Sequence, residues 1–199
     1  MKPLLLTFDI FGTVVDWRAG LGERDFDRIV DVQGELEQQR FRPYTEIVAE
    51  SLVRVRRLDA VTAAAIAANV GKWPLFPDSR EALRRLRRVA PCVATTNSDR
   101  AHGEQVQEQL GFALDGWICA EDVRAYKPDR RIWDAASRKM NRPFDRAWWH
   151  VSAYADYDLR TARELGLTAV FVQRAHSRPG IADVTVPDLT RLANLVEMA

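Results

Sequence analysis

The stretch LLLTFDIFGT, residues 4–13, contains the strongest indication of the fold in this chain. Its first five residues form a short, uncharged and mostly apolar run, which is typical of a strand buried on both faces of a parallel sheet. Asp9 follows directly, and Gly12 and Thr13 end the stretch in a tight polar turn. Ligands bind outside the carboxyl ends of parallel strands, so Asp9 lies where a functional carboxylate is expected.

Strands and helices alternate along the chain beyond residue 73. The sequence predicts strands at 92–96, 117–119, 148–152, 169–172 and 183–186. It predicts helices at 80–89, 102–110, 130–140, 159–165 and 189–197. Alternation of this kind is typical of a doubly wound α/β fold, in which helices cover both faces of a parallel sheet.

Residues 17–73 interrupt this alternation with a pattern that is helical throughout, including an alanine-rich helix candidate at 60–70. No strand-like run occurs in this stretch, and it is too long for a loop inside a compact domain. We therefore predict that 17–73 is a helical cap insertion. Residues 1–16 and 74–199 are then expected to form the α/β core.

The composition is that of an ordinary globular protein, with 47% hydrophobic and 29% charged residues among 199. The 29 Lys and Arg nearly balance the 28 Asp and Glu, so no strong overall field attracts nucleic acid or anionic lipid. Cys92 and Cys119 lie in apolar runs without the spacing of a zinc site or a disulfide framework. No run reaches the ~18 apolar residues of a membrane helix. We expect a cytoplasmic protein without nucleic-acid or membrane partners.

Polar side chains follow four of the predicted strands. They are Asp9 and Thr13 after the first, Thr96 and Asn97 after the second, Lys127 after the third and Asp158 after the fourth. A carboxylate at a strand end can act as a nucleophile, and a neighbouring lysine can stabilise charge that develops during its attack. Thr and Asn side chains can bind oxygens of a substrate. The pattern therefore predicts covalent catalysis by an aspartate.

These motifs, taken in order, resemble the haloacid dehalogenase superfamily of hydrolases. They are DIFGT at 9–13, TN at 96–97, Lys-Pro at 127–128 and the acid at 158. Three segments are similar to sequences of the type II 2-haloacid dehalogenase branch. They are LTFDIFGTVVDWR, PLFPDSREALRRL and AYKPDRRIW. That branch carries a helical cap where residues 17–73 stand here. The resemblance extends over nearly the whole chain.

The resemblance implies a role for each catalytic candidate. Asp9 matches the nucleophile, Thr13 its partner on the same loop, and Lys127 the lysine that stabilises the nucleophile. Asp158 matches the final acid, which orders the lysine or the hydrolytic water. The implied reaction is attack by Asp9 on a carbon that bears a leaving group next to a carboxylate. Water then hydrolyses the aspartyl ester, and a 2-hydroxy acid is released.

The resemblance also implies a binding site for a small carboxylate. Thr96 and Asn97 match the motif that helps to hold the substrate carboxylate. Phe11 and Trp133 are the further substrate-binding candidates, Trp133 at the place of a pocket tyrosine. No metal or organic cofactor is expected. The branch is often dimeric, and the sequence leaves the oligomeric state open.

Some positions depart from the pattern of that branch. Its cap arginine, which holds the departing halide, has no counterpart at the best register, where Val32 stands. The arginines that could substitute from another turn are Arg18, Arg24, Arg28, Arg40 and Arg42. The serine and asparagine of the fourth motif are replaced by Ala153 and Ala155. These departures leave the substrate open.

Two alternatives remain at this point. The superfamily consists mostly of magnesium phosphatases, which place an acid two residues after the nucleophile to protonate the leaving alkoxide. Phe11 occupies that position here and cannot transfer a proton, although Asp156 could serve as a displaced magnesium ligand. The second alternative is a degenerate member that binds a small carboxylate without catalysis. Asp158 could also simply cap the following helix, and His150 is interpreted as a hydrogen-bonded core histidine.

Overall fold

Six parallel strands form a single sheet in the computed structural model, which describes residues 2–198. The strands are β1 Leu5–Phe8, β2 Cys92–Thr96, β3 Gly116–Cys119, β4 Trp148–Ser152, β5 Thr168–Val172 and β6 Val184–Val186. Their order across the sheet is β3-β2-β1-β4-β5-β6, and every neighbouring pair is parallel. The predicted doubly wound α/β fold is confirmed.

Helices connect and cover these strands. They are α1 Trp17–Leu21, α2 Phe26–Glu37, α3 Tyr44–Arg56, α4 Ala60–Ala67, α5 Ser79–Arg87, α6 Arg100–Leu110, α7 Ala120–Val123, α8 Arg131–Met140, α9 Arg160–Glu164 and α10 Leu189–Met198. A 3-10 turn at Val70–Lys72 follows α4, and a π-helical turn at Ala155–Leu159 precedes α9. Within residues 2–198, no helix has the length and apolar character required to cross a bilayer.

Most predicted elements agree with the structure to within a few residues at each end, and the strands at 92–96 and 148–152 agree in full. The structure differs in two places. The short helix α7 was not predicted, because an element of this length contains too few residues to show a period. The helix predicted at 159–165 is extended at its start by the π-helical turn.

The strand order places the end of β1 at the centre of the sheet. β1 pairs with β2 on one side and with β4 on the other, so the order of the strands reverses at this point. The connections that follow β1 and β4 leave the sheet in opposite directions and so form a crevice. Open α/β sheets bind their ligands in such a crevice. All four residues of β1 are buried, and Asp9 follows directly after the strand.

Helices α1–α4 all lie within the stretch predicted as a helical insertion. Its treatment as a separate cap stays a prediction. Asp99, at the start of α6 in the core, contacts the insertion directly. Its carboxylate accepts hydrogen bonds from the backbone N–H groups of Tyr44 and Thr45, both at 2.8 Å, and from Thr45 Oγ1 at 2.6 Å. The first N–H groups of α3 are therefore satisfied by a distant part of the chain.

We expect Asp99→Ala to lower the free energy of unfolding by at least about 1–2 kcal/mol, because it removes the cap of α3 and a tie between two parts of the chain. Urea denaturation measures this loss. Asp59→Ala is the matched control, since Asp59 caps α4 only locally through Thr62 N at 2.9 Å. A loss for Asp99→Ala that does not exceed the loss for Asp59→Ala would contradict this role.

Candidate active site

The ammonium group of Lys127 lies between two carboxylates at the carboxyl edge of the sheet. Its Nζ atom is 2.9 Å from Asp9 Oδ1 and 2.7 Å from Asp158 Oδ2. The side chains of Lys127 and Asp158 are fully buried, and that of Asp9 is almost so. Three residues that are distant in sequence, each beyond a different strand, therefore form one ion-paired cluster.

The second oxygen of Asp9 is held by its own loop. Thr13 Oγ1 donates a hydrogen bond to Asp9 Oδ2 at 2.7 Å, and the backbone N–H of Ala153 donates to Thr13 Oγ1 at 2.9 Å. Gly12 has a φ of +93°, a conformation that side chains disfavour. This turn brings Thr13 back to the carboxylate. Both oxygens of Asp9 are consequently fixed, one by a cation and the other by a hydroxyl group.

A chain of hydrogen bonds holds Asp158 from the other side. Its Oδ1 atom is 3.0 Å from His150 Nε2, and His150 Nδ1 is 2.9 Å from Thr7 Oγ1. Trp148 Nε1 donates to the same threonine oxygen at 2.8 Å. One tautomer of His150 is compatible with all three contacts. In it Nε2 carries the hydrogen and donates a hydrogen bond to Asp158, while Nδ1 accepts one from Thr7 Oγ1. The carboxylate of Asp158 is therefore bonded to Lys127 and His150, and His150 is a hydrogen-bonded core histidine.

One ammonium group cannot neutralise two carboxylates, so the two acids differ in pKa. Burial would lower the pKa of Lys127, but the charges of Asp158 and Asp9 outweigh this effect and raise it. Burial would raise the pKa of Asp158, yet Lys127 and His150 hold it well below its usual range. For Asp9, burial outweighs the opposing charge of Lys127 and raises the pKa. Asp9 is therefore the more basic carboxylate, and Asp158 is the fixed counter-charge.

A cavity of about 550 Å³ lies in front of Asp9, a volume that suits a small molecule. Its wall includes Lys127, Thr96, Asn97 and Phe11, and helix α2 supplies a further part of it. The cavity therefore brings together five of the eight residues that the sequence analysis selected. Thr13 and Asp158 are not part of its wall, but they contact the side chains that are.

Thr96 and Asn97 differ in their availability to a ligand. Thr96 Oγ1 is buried in the cavity wall, and no described residue forms a hydrogen bond with it. Asn97 is already engaged: its Oδ1 accepts from Lys127 N at 2.7 Å, and its Nδ2 donates to Lys127 O at 3.4 Å and to Glu37 Oε2 at 3.0 Å. Thr96 Oγ1 is thus without a partner among the described residues, whereas Asn97 is bonded to the loop that carries Lys127.

Trp133 is not brought to the cavity, which corrects the prediction that it contacts substrate. It lies on α8 in a separate apolar cluster with Leu5, Ile132 and Trp148, and its side chain is fully buried. The indole ring meets the ring of His150 edge-on, with centroids 5.6 Å apart. The apolar face of α8 packs against the sheet, so Trp133 supports the histidine that holds Asp158.

The arginines of the cavity wall are not the ones that the sequence suggested. Within residues 2–198, the cavity is not lined by any of Arg18, Arg24, Arg28, Arg40 and Arg42. It is lined instead by Arg160, which begins α9, and by Arg178, which lies beyond β5. The sequence analysis missed both because it searched the helical insertion. Arg160 could have been found from the sequence, because it stands only two positions after Asp158.

The comparison with protein families decides where this chain belongs. A family model described as haloacid dehalogenase-like hydrolase matches residues 4–149. The chain belongs to this family. The suspected relationship to the haloacid dehalogenase superfamily is confirmed.

Known relatives of this haloacid dehalogenase-like hydrolase include (S)-2-haloacid dehalogenase H-109 of Pseudomonas putida, 35% identical over 101 residues. That alignment covers 49% of this chain and 44% of the relative. The matched part of the chain therefore spans less than half of the relative's length. The crystal structure of an L-2-haloacid dehalogenase matches with a TM-score of 0.86 at 23% identity, over 99% of this chain and 100% of the other. The L-2-haloacid dehalogenase of Xanthobacter autotrophicus matches with a TM-score of 0.82 at 18% identity, over the same shares. At these identities the solved structures establish the fold.

Glu37 is a residue of this hydrolase's cavity that the sequence analysis did not select. It ends α2, is partly buried in the wall and accepts the hydrogen bond from Asn97. Burial raises its pKa to about 8, although Asn97 and Lys127 oppose the shift. Glu37 is therefore protonated at neutral pH. Gln33 lies one turn earlier on the same face of α2, so a polar stripe on this helix was the available signal.

The stability of the protein should report the protonation of Glu37. Its pKa rises from an ordinary 4.5 to about 8 on folding, so the folded protein keeps a proton that the unfolded chain releases in this window. We expect the free energy of unfolding to fall as the pH rises through the window, by at most about 1.4 kcal/mol per pH unit. Glu37→Gln, which imitates the neutral acid, should therefore gain stability over the wild type progressively up to pH ~8.

Urea denaturation at a series of pH values measures this difference. Glu35→Gln is the control, because Glu35 is exposed on the same helix. Its difference from the wild type should change much less with pH. A difference between Glu37→Gln and the wild type that is constant across the window would show that Glu37 is not held in its neutral form.

Proposed function

We propose that this protein hydrolyses the carbon–halogen bond of small 2-haloalkanoic acids through an aspartyl ester on Asp9. The observation that carries this proposal is the cluster in which Lys127 and Thr13 hold the two oxygens of Asp9 at the wall of a cavity. A carboxylate held in this way is oriented for attack on a bound molecule without further rearrangement. The cavity has room for a substrate of this size.

In the first step, a lone pair on an Asp9 oxygen forms a bond to C2 of the substrate. The carbon–halogen bond breaks, and the halide leaves with the bonding electrons. Lys127 remains protonated throughout and balances the negative charge as it moves from the carboxylate to the halide. The halide is a stable anion and needs no proton, which is compatible with Phe11 at the position where a general acid would stand.

In the second step, water adds to the Asp9 carboxyl carbon and the bond between that carbon and the ester oxygen breaks. The products are a 2-hydroxy acid and regenerated Asp9, and one proton is released in the complete reaction. Asp158 cannot easily take this proton, because both of its oxygens are engaged by Lys127 and His150. Its role in the proposed cycle is therefore to keep Lys127 in place.

The substrate carboxylate has suitable partners in the cavity wall. Thr96 Oγ1 has no hydrogen-bond partner among residues 2–198, and Arg160 contributes positive charge to the same wall. Arg178 also lines the wall, but it already lies 3.6 Å from Asp156 and 3.7 Å from Asp31. Guanidinium groups bind carboxylates in a two-point geometry. We propose that the carboxylate of the substrate binds to groups of this wall.

The comparisons support the same substrate class. The curated relatives of Pseudomonas putida and Pseudomonas fluorescens are (S)-2-haloacid dehalogenases. The Xanthobacter autotrophicus structure is described with chloropropionic acid covalently bound. A covalent adduct of this kind is what the proposed first step would produce.

The magnesium phosphatase alternative receives less support from the side chains present. Asp158 is engaged on both oxygens, and Asp156 faces Arg178 at 3.6 Å. Phe11 also leaves a phosphate ester without a proton donor for its alkoxide. We therefore propose no phosphatase activity.

A single turnover in heavy-oxygen water tests the covalent step. With enzyme in excess over 2-chloropropionate, we expect one heavy oxygen in the Asp9 side chain, because water attacks the carboxyl carbon rather than C2. Mass spectrometry of the Asp9 peptide measures the label. Asp9→Asn should lower halide release at least about 10³-fold, whereas Asp27→Asn, an exposed carboxylate of α2, should not. Label found only in the product would overturn the proposal.

The acidic limb of the pH profile tests the electrostatics of the cluster. Attack requires ionised Asp9, whose pKa lies above its ordinary value of 3.8, so kcat/KM should fall as Asp9 is protonated. Asp158→Asn removes a negative charge that raises the pKa of Asp9. It also leaves Asp9 as the carboxylate that pairs with the ammonium group of Lys127. We expect the acidic limb to move to lower pH in this variant while kcat falls. An unchanged limb, or one at higher pH, would contradict the assignment.

A further inference from the structure

One face of helix α2 forms part of the wall of the cavity that contains Asp9. The residues of α2 and of its C-terminal boundary that line the cavity are Val30, Gln33, Gly34, Glu37 and Gln38. Their spacing of three and four positions places them on a single side of the helix. Gly34 stands within this face, so a wall that is otherwise covered by side chains has a bare position there.

Neither of the usual structural reasons for a glycine applies at position 34. The residue lies in the interior of α2, and its φ is not in the left-handed region. A Cβ atom built on it would meet no heavy atom of residues 2–198 within 4 Å, apart from the adjacent helix backbone. At Gly103 in α6, by contrast, a Cβ atom would lie 2.6 Å from Trp117 Nε1. Glycine weakens a helix interior, and at Gly34 it relieves no contact but keeps a space open.

The polar side chain beside this space already has its partners within the protein. Gln33 Oε1 accepts a hydrogen bond from Tyr44 Oη at 3.0 Å, and Gln33 Nε2 donates to Ser51 Oγ at 3.2 Å. The next residue of the same face towards the start of α2 is the apolar Val30. The wall around Gly34 therefore offers mainly carbon atoms to a ligand.

Aromatic rings continue this apolar surface. Phe11, Tyr44 and Tyr126 line the same cavity. The ring centroids of Phe11 and Tyr44 are 6.3 Å apart, and those of Tyr44 and Tyr126 are 6.4 Å apart. The hydroxyl group of Tyr126 donates to Arg42 O at 2.7 Å, so this phenol, like that of Tyr44, needs no partner from a ligand. An apolar group is the ligand part that suits such surroundings.

The cavity is larger than the reacting group requires. Its volume of about 550 Å³ lies in the range of pockets that hold drug-sized ligands, whereas 2-chloropropionate has only a few non-hydrogen atoms. Asn97 Nδ2 donates to Glu37 Oε2 at 3.0 Å, and Asn97 Oδ1 accepts from Lys127 N at 2.7 Å, so the end of α2 is tied to the core beside the catalytic cluster. The face of α2 and the nucleophile Asp9 therefore border one continuous space.

We propose that the space above Gly34 receives the C2 substituent of the substrate, and that the preferred substrates are 2-haloalkanoic acids with a chain longer than methyl at C2. This rests on the proposed function and names its substrate class. While C2 is held for attack by Asp9, the chain extends towards α2 and leaves water, so the transfer of its methylene groups strengthens binding. Position 34 then sets the length of chain that the cavity accepts.

A comparison of two substrates tests this role of position 34. The wild type should show a kcat/KM for 2-bromohexanoate at least about fivefold above that for 2-bromopropionate, because the longer chain buries more apolar surface. Gly34→Leu, which fills the space, should lower the ratio of the two values at least about tenfold. Glu35→Leu is the matched control, since Glu35 is exposed on the same helix, and its ratio should equal that of the wild type. A wild type that prefers 2-bromopropionate, or an unchanged ratio in Gly34→Leu, would overturn the proposal.

Stability measurements test whether this glycine has a structural role instead. Gly34→Ala should raise the urea midpoint of unfolding, because alanine favours a helix and its Cβ atom would meet no neighbour. Gly103→Ala should lower the midpoint, since its Cβ atom would collide with Trp117. A midpoint for Gly34→Ala that is unchanged or lower would contradict the premise that only the open space requires a glycine.

Binding of 2-hydroxy acids separates this proposal from the proposed function. Isothermal titration calorimetry should show that the wild type binds 2-hydroxyhexanoate at least about fivefold more tightly than lactate. Gly34→Leu should bind the two acids about equally. If the wild type releases no halide from any haloacid, the proposed function fails, yet this comparison still shows whether the cavity accepts an alkyl chain. Equal affinities of the wild type for both acids would overturn the proposal even where halide is released.

Discussion

The buried ammonium of Lys127 is the constraint on which the arrangement of this site depends. A charge taken out of water is tolerated only where opposite charges and hydrogen bonds replace the lost hydration. Asp9 and Asp158 provide them from the ends of two adjacent strands. The loops after β1 and β4 and the segment that carries Lys127 must therefore meet at one point, and the reversal of strand order beside β1 allows them to do so.

The two carboxylates are made unequal by their surroundings. Asp158 is fully buried and held by His150 in addition to the lysine, so it remains ionised and immobile. Asp9 lines the cavity and has a raised pKa, and among residues 2–198 its carboxylate accepts hydrogen bonds only from Thr13 and Lys127. The same type of side chain therefore has a raised pKa at position 9 and a lowered pKa at position 158.

The cavity is lined both by the sheet edge and by helices between β1 and β2. The sheet edge provides the charged cluster, and α2 provides Glu37, whose neutral carboxyl group is linked to Lys127 through Asn97. Asp99 joins the two parts by capping α3. The chemistry and the shape of the site therefore depend on different segments, and the contacts between them determine how the segments are placed.

The sequence alone was sufficient for the parallel α/β fold and for the residues at the strand ends, because both depend on local patterns. Asp9 and Thr96 are found by reading what ends or follows a buried apolar run. Other features depend on which elements the strand order places side by side, and no local pattern records that. Three contacts are visible only in the tertiary structure. Asn97 is bonded to the loop of Lys127, Trp133 is packed away from the cavity, and Arg178 lies in the cavity wall.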